Sequence, residues 1–193
     1  MNYNTIVSNF LKKGYVKFKP KKTDLIDIQN IVLKSITKKN LLKNDRLRYL
    51  NNYHLNFDYQ QINIRRLEIY NNINSIDSFS KKYYSIVEDV LNMLVGNELA
   101  MQIKINLSIQ LPNDKSSILP LHSDTWSGDS PFEVVVWIPL VDCYKSKSMF
   151  ILNPRDSKIF YHNYKADSEE LDSKSLFDKY KKKFEWINIK FGE

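Results

Sequence analysis

Near Met101 the spacing of apolar residues changes from helical to alternating, and this change constrains the fold more than any other feature. Before it, Ile6, Val7, Phe10 and Leu11 lie at helical spacing over Tyr3 to Lys13, and Gly14 stands where a left-handed C-cap would fall. Tyr15, Val16 and Phe18 read as a brief strand ended by Pro20. Asp24 then caps a second helical run carrying Leu25, Ile28, Ile31, Val32 and Ile36 on one face. Residues 38 to 74 are polar and rich in Asn, which predicts irregular structure with short strands near Gln61 to Ile69. From Ser75, the positions Ile76, Phe79, Tyr83, Ile86, Val87, Val90 and Leu94 repeat at three and four and end at Gly96, as a helix requires.

After Met101 the odd positions Ile103, Ile105, Leu107, Ile109 and Leu111 alternate with polar even positions, predicting a strand with one buried and one polar face. Phe132 to Asp142 is apolar on both faces and reads as a central strand. Ser148 to Leu152 reads as a shorter one. Asp167 to Phe184 has helical spacing, and Trp186, Ile187, Ile189 and Phe191 begin a last strand. Helices followed by a run of strands predict an α+β chain whose β core, from about residue 100 onward, is a sandwich or barrel.

A chain of 193 residues fits one domain over residues 1–193, with 1–99 mainly helical and 100–193 forming the β core. Its 42% hydrophobic and 26% charged residues exclude a disordered chain. No apolar run approaches the roughly 20 residues of a membrane span, and the N-terminus lacks a signal-peptide pattern, so a cytoplasmic location is expected. Cys143 is the one cysteine, which excludes internal disulfides and thiolate zinc sites; any metal must be held by His and carboxylate. The net charge of +7 is mostly lysine, scattered in short clusters rather than gathered on one face with aromatics interleaved, and so predicts solvated surfaces and no nucleic-acid partner. Phosphate-binding glycine loops are absent, which excludes P-loop and dinucleotide fingerprints.

The segment with chemical content is Leu119 to Leu140, LPLHSDTWSGDSPFEVVVWIPL. Residues two apart on an extended chain point to one side, so His122 and Asp124 would present an imidazole and a carboxylate together. Those are two of the three ligands of a facial triad, in which two His and one carboxylate leave three positions of a non-haem Fe(II) ion open. A His-x-Asp triplet alone is weak. Here it follows an alternating strand, precedes a Gly/Ser/Asp/Pro turn and is followed by an apolar segment ending at Pro139, an order suited to the mouth of a barrel.

Over residues 106 to 152, about a quarter of the chain, the sequence resembles the 2-oxoglutarate and Fe(II)-dependent oxygenases of the phytanoyl-CoA dioxygenase type. More narrowly, HSDTWSGDSPFEVVVWIPLVD is similar to the group of these found in sporadic carbohydrate-biosynthesis clusters. The resemblance implies a double-stranded β-helix core of the jelly-roll or cupin kind, with His122 and Asp124 as iron ligands. It also implies Fe(II) with 2-oxoglutarate as cosubstrate, and a dioxygenase hydroxylating a small-molecule or carbohydrate-linked intermediate of surface-carbohydrate biosynthesis. Asn106 and Gln110, on the polar face of the first strand, and Thr125, directly after the ligands, are the candidates for cosubstrate contacts; Ser108 shares the face of the first two. Trp126 would border the substrate channel or anchor the turn.

The departure from the family is a missing ligand. The distal histidine, and the basic residue that follows it, belong to a late strand that this sequence does not contain, so the core is expected to be incomplete at its C-terminus and the chain to be a partial product. Such a chain would hold iron weakly, expose unpaired strand edges, and tend to aggregate or oligomerise. One histidine follows Asp124: His162, in KIFYHNYKAD, where a loop is expected. As an exposed loop residue it is a poor third ligand. His54 lies outside the expected core. Trp137 reads as core, and Glu133 as either a support for the site or an exposed edge residue. Cys143 has no His and Asn or Asp in a recognisable nucleophile context. The rival function is a non-catalytic cupin-like β-barrel binding module that has lost its metal.

Overall fold

The computed structural model describes residues 3–56, 58–113, 121–166 and 173–193. Among them are seven α-helices: α1 (Tyr3–Lys13), α2 (Lys22–Ile36), α3 (Lys43–Asn51), α4 (Ile62–Asn74), α5 (Phe79–Val95), α6 (Pro154–Ala166) and α7 (Ser173–Tyr180). A single antiparallel sheet of two strands, β1 (Met149–Ile151) and β2 (Glu185–Ile187), pairs Met149 with Ile187, Phe150 with Trp186 and Ile151 with Glu185. The expected double-stranded β-helix is therefore overturned: the described residues are mostly helical and contain no such core.

The chain forms two compact units. One is built from Met1–Val16, Ile118–Trp137 and Tyr144–Asn188, the other from Lys17–Ser117, Ile138–Cys143 and Ile189–Glu193.

In the second unit α2 packs against α4 and α5. Leu25, Ile28, Val32, Leu33 and Ile36 of α2 are buried, as are Ile62, Ile69 and Ile73 of α4 and Phe79, Ile86, Val87 and Val90 of α5. Each fully buried Ile contributes about 1.5–3 kcal/mol through removal of its surface from water. Helix α4 occupies the stretch where short strands are expected from sequence. Ile62, Ile69 and Ile73 recur at seven and four residues, a helical stripe hidden among Asn and Arg and weakened by Ile64 and Leu67 on the exposed side. Asp24 lies in the first turn of α2 rather than capping it; the cap position is Lys21, with no side-chain cap bond.

Residues 101–111 join no ladder, with a bend at Ile103 and Lys104, and residues 133–139 join none either, Phe132 belonging to the turn before them. The alternation is real at the level of faces. Ile105 and Leu111 are buried, Leu107 and Ile109 are half-buried, and the even positions are exposed, whereas Ile103 is 92% exposed. What the pattern does not specify is a backbone partner. Asn74 of α4 takes that place: its Oδ1 accepts the Ile105 N–H at 2.7 Å and its Nδ2 donates to the Ile105 carbonyl at 3.0 Å. Arg66 donates from Nε and Nη2 to the Ile109 carbonyl at 3.0 and 2.7 Å. In the segment expected to be a central strand, Phe132 is 89% exposed and Val135 is also exposed, so its apolar run is not enclosed. Tyr15, Val16 and Phe18 likewise form no strand.

The first unit places α1 against α6 and builds an aromatic core from Phe160, Leu176, Tyr180 and Phe184, with Leu121, Phe150, Leu152, Tyr161 and Phe177 packed on it. Phe150 stacks on Phe184 at 4.5 Å between centroids, and Phe160 meets Tyr180 edge-on at 5.0 Å. Gly14 ends α1 with φ +80, its N–H bonded to the Phe10 carbonyl at 2.8 Å, and a Cβ there would meet Pro154 Cδ at 3.4 Å. The helix expected over Asp167–Phe184 is described as α7 from Ser173; its first residues, 167–172, lie outside the described residues.

Candidate functional site

His122 and Asp124 sit in the first unit, just before and at the start of a short 3-10 turn, Asp124–Ser127. The turn has a local cause. Ser123 is extended (φ −129, ψ 136) and its carbonyl accepts the Trp126 N–H at 2.8 Å, while Gly128 closes the turn in the left-handed region at φ 95. The chain thus bends directly after Ser123, and His122 Nε2 comes to 3.5 Å from Asp124 Oδ1. Sequence reasoning paired these side chains through the period of a strand; the turn brings them together by another route.

Both side chains are 46% exposed, so their mutual attraction is largely screened and adds little to stability. They are accessible to solutes. Two donors about 2.0–2.2 Å from one ion lie roughly 2.8–3.1 Å apart at the 90° of an octahedral shell and roughly 3.3–3.6 Å apart at the 110° of a tetrahedral one. The observed 3.5 Å matches the wider spacing and would close by about 0.4 Å in an octahedral shell, and an imidazole with a carboxylate is a donor set suited to Fe(II) and similar divalent ions. The pair therefore fits two adjacent positions of a metal shell. Among the described residues no group of three or more His, Cys, Asp or Glu is placed to hold an ion.

A chain of hydroxyls links the turn to α6. Tyr161, on α6, donates to Ser123 Oγ at 2.7 Å, and Ser123 Oγ lies 2.9 Å from Thr125 Oγ1. Trp126 stacks on Phe160 at 5.9 Å and 27°. The turn is thus tied to the aromatic core at two adjacent residues of α6. Neither Ser123 nor Tyr161 stood out in the sequence. The available signal was the position of Ser123 between two ligands; for Tyr161 there was none until α6 was known.

The other candidates are distributed as follows. Thr125 is exposed beside the pair. Asn106 and Gln110 belong to the second unit and are both exposed on the extended segment. Asn106 lines a shallow cleft of about 390 Å³ with Asn63, Arg66, Tyr70 and Ser108; Gln110 does not. His162 is exposed on α6, a helix rather than the expected loop. His54 is half-buried in the 3-10 helix Tyr53–Asn56 of the second unit. Trp137 is half-buried and Glu133 is exposed. Cys143 is buried, its thiol directed to the Val141 carbonyl at 3.4 Å.

No family model, curated protein or solved structure matches this chain. Among the described residues no helix is long and apolar enough to cross a membrane.

Proposed function

We propose that this protein is an Fe(II)- and 2-oxoglutarate-dependent oxygenase acting on a small-molecule or carbohydrate-linked substrate in the cytoplasm, with His122 and Asp124 as metal ligands. The observation that carries this reading is the 3.5 Å approach of a half-exposed imidazole to a half-exposed carboxylate. The similarity of HSDTWSGDSPFEVVVWIPLVD to the oxygenase segment supports it. His122 binds through Nε2 and Asp124 through Oδ1, whose charge offsets part of the ion's. Thr125 offers a hydroxyl next to them for the cosubstrate. When bound, Fe(II) would supply oxygen activation: 2-oxoglutarate and O₂ would give succinate and CO₂, one oxygen atom ending in succinate and the other in the hydroxylated substrate. The chain's own residues hold and orient.

Anaerobic Fe(II) titration with 2-oxoglutarate, followed by succinate measurement in air, tests the reading. His122→Ala and Asp124→Ala are each expected to remove Fe(II) binding and any succinate formation while leaving the far-UV CD spectrum unchanged, because half-exposed ligands add little to the core. Fe(II) binding or succinate formation that persists at the wild-type level in both variants sinks the assignment.

A second reading, binding without turnover, draws on the donor count: two protein ligands among the described residues instead of three. It predicts Fe(II) binding that depends on His122, with no succinate.

A further inference from the structure

We propose that Tyr161 is a positioning residue for the metal pair, acting through the Ser123 hydroxyl; this rests on the reading of His122 and Asp124 as ligands. Three observations converge. Ser123 stands between the two ligands in the chain, and its extended backbone carries the carbonyl that starts the 3-10 turn placing Asp124 beside His122. Its hydroxyl is held at 2.7 Å by Tyr161 and shared at 2.9 Å with Thr125. Tyr161 is itself fixed, half-buried on α6, with its ring edge-on to Phe160 at 5.6 Å and packed on the aromatic core.

The turn is short and mostly exposed, and the stacking of Trp126 on Phe160 ties down its far end rather than the residue between the two ligands. A hydroxyl anchored to a packed helix supplies that constraint. It is paid for in the folding of α6 and its aromatic neighbours, before any ion arrives. Groups that orient metal ligands without touching the ion typically change metal affinity by about 10–100-fold when removed. Tyr161 acts one step further out, on the residue between the two ligands, so the lower end of that range is expected.

The test uses Co(II), whose visible absorption reports both affinity and coordination, on the whole chain and on four variants. Tyr161→Phe keeps the ring in its packing and removes only the hydroxyl. Ser123→Ala removes the other end of the bond, and Ser123→Thr restores a hydroxyl on a backbone already in the extended region that Thr favours. His122→Ala is the control for the ligand pair. Expected is Co(II) binding about tenfold weaker in Tyr161→Phe and Ser123→Ala and within about threefold of wild type in Ser123→Thr. Amide exchange of Trp126, whose N–H is bonded to the Ser123 carbonyl, is expected to quicken in the first two variants even without metal. Unchanged Co(II) affinity in Tyr161→Phe overturns the proposal and leaves the ligand reading standing. Should wild type and His122→Ala show the same lack of Co(II) binding, the ligand reading falls and the positioning role with it; the metal-free exchange rates then report whether Tyr161 orders the turn for another purpose.

Discussion

Asn74 shows how one side chain can stand in for a neighbouring strand. Its carboxamide accepts the Ile105 N–H at 2.7 Å and donates to the Ile105 carbonyl at 3.0 Å, and its second N–H has the Tyr70 carbonyl at 2.8 Å. Exchanging both backbone bonds of one residue is what a partner does in an antiparallel pair. Asn74→Ala would leave the Ile105 backbone groups, on a residue only 4% exposed, without these partners. The expected cost is about 1–3 kcal/mol, read from urea unfolding followed by far-UV CD, with faster amide exchange at Ile105. A variant as stable as wild type would mean that water replaces Asn74 without loss. None of this was legible from spacing. The alternation in residues 101–111 identified which residues turn inward, yet a lone Asn, one among many in the preceding segment, carried no sign that it would serve as partner.

Helix α6 occupies a stretch whose spacing predicts a loop, although its start carries the residues of a helix N-terminus. Asn153 occupies the cap position, Pro154 the first helical position and Asp156 the third, the order expected at a helix N-terminus. Asn153 Oδ1 accepts the Asp156 N–H at 2.9 Å, and Asn153 Nδ2 donates to Asp156 Oδ2 at 2.8 Å. Asn153→Ala is expected to cost about 1 kcal/mol, measurable as a lower urea midpoint. The hydrogen bond from Asn153, and then that from Lys183 Nζ at 3.2 Å, hold the Asp156 carboxyl below its ordinary range. The folded value lies below the unfolded one, so this stabilisation is present above about pH 4 and is lost as the pH falls through the depressed folded value. Asp156→Asn should therefore flatten the acid side of the stability–pH curve, and an unchanged slope between about pH 5 and 2 would contradict the assignment. Helix α5 contrasts with α6. Its unbroken stripe of apolar residues from Phe79 to Val90 left little doubt, because the period is long enough to exclude a strand.

At the scale of the molecule, the chain returns to close its second unit. Cys143 and Ile189 exchange backbone bonds, N to O at 2.8 Å and back at 3.0 Å, and the Phe191 N–H reaches Asp142 Oδ1 at 2.8 Å. Ile189 is 8% exposed, so Ile189→Ala is expected to destabilise by about 2–5 kcal/mol, the range for truncating a buried Ile. Far-UV CD is the right probe, since all three tryptophans, Trp126, Trp137 and Trp186, belong to the first unit. A midpoint that does not move would show that the Ile189 side chain adds nothing to the packing of this unit. Local spacing determined the bounds of α1, α2 and α5 to within a few residues and most of the side chains that α2 and α5 bury, since each depends on geometry within a turn or two of chain. The architecture was decided elsewhere. Whether an extended segment becomes a strand depends on the partner that reaches its N–H and C=O groups. For residues 101–111 that partner is α4, about 30 residues earlier, and the Ser123 side-chain hydroxyl likewise meets Tyr161 38 residues later. Side-chain period is a property of a few neighbouring residues. A hydrogen-bond partner comes from wherever the packed chain places one.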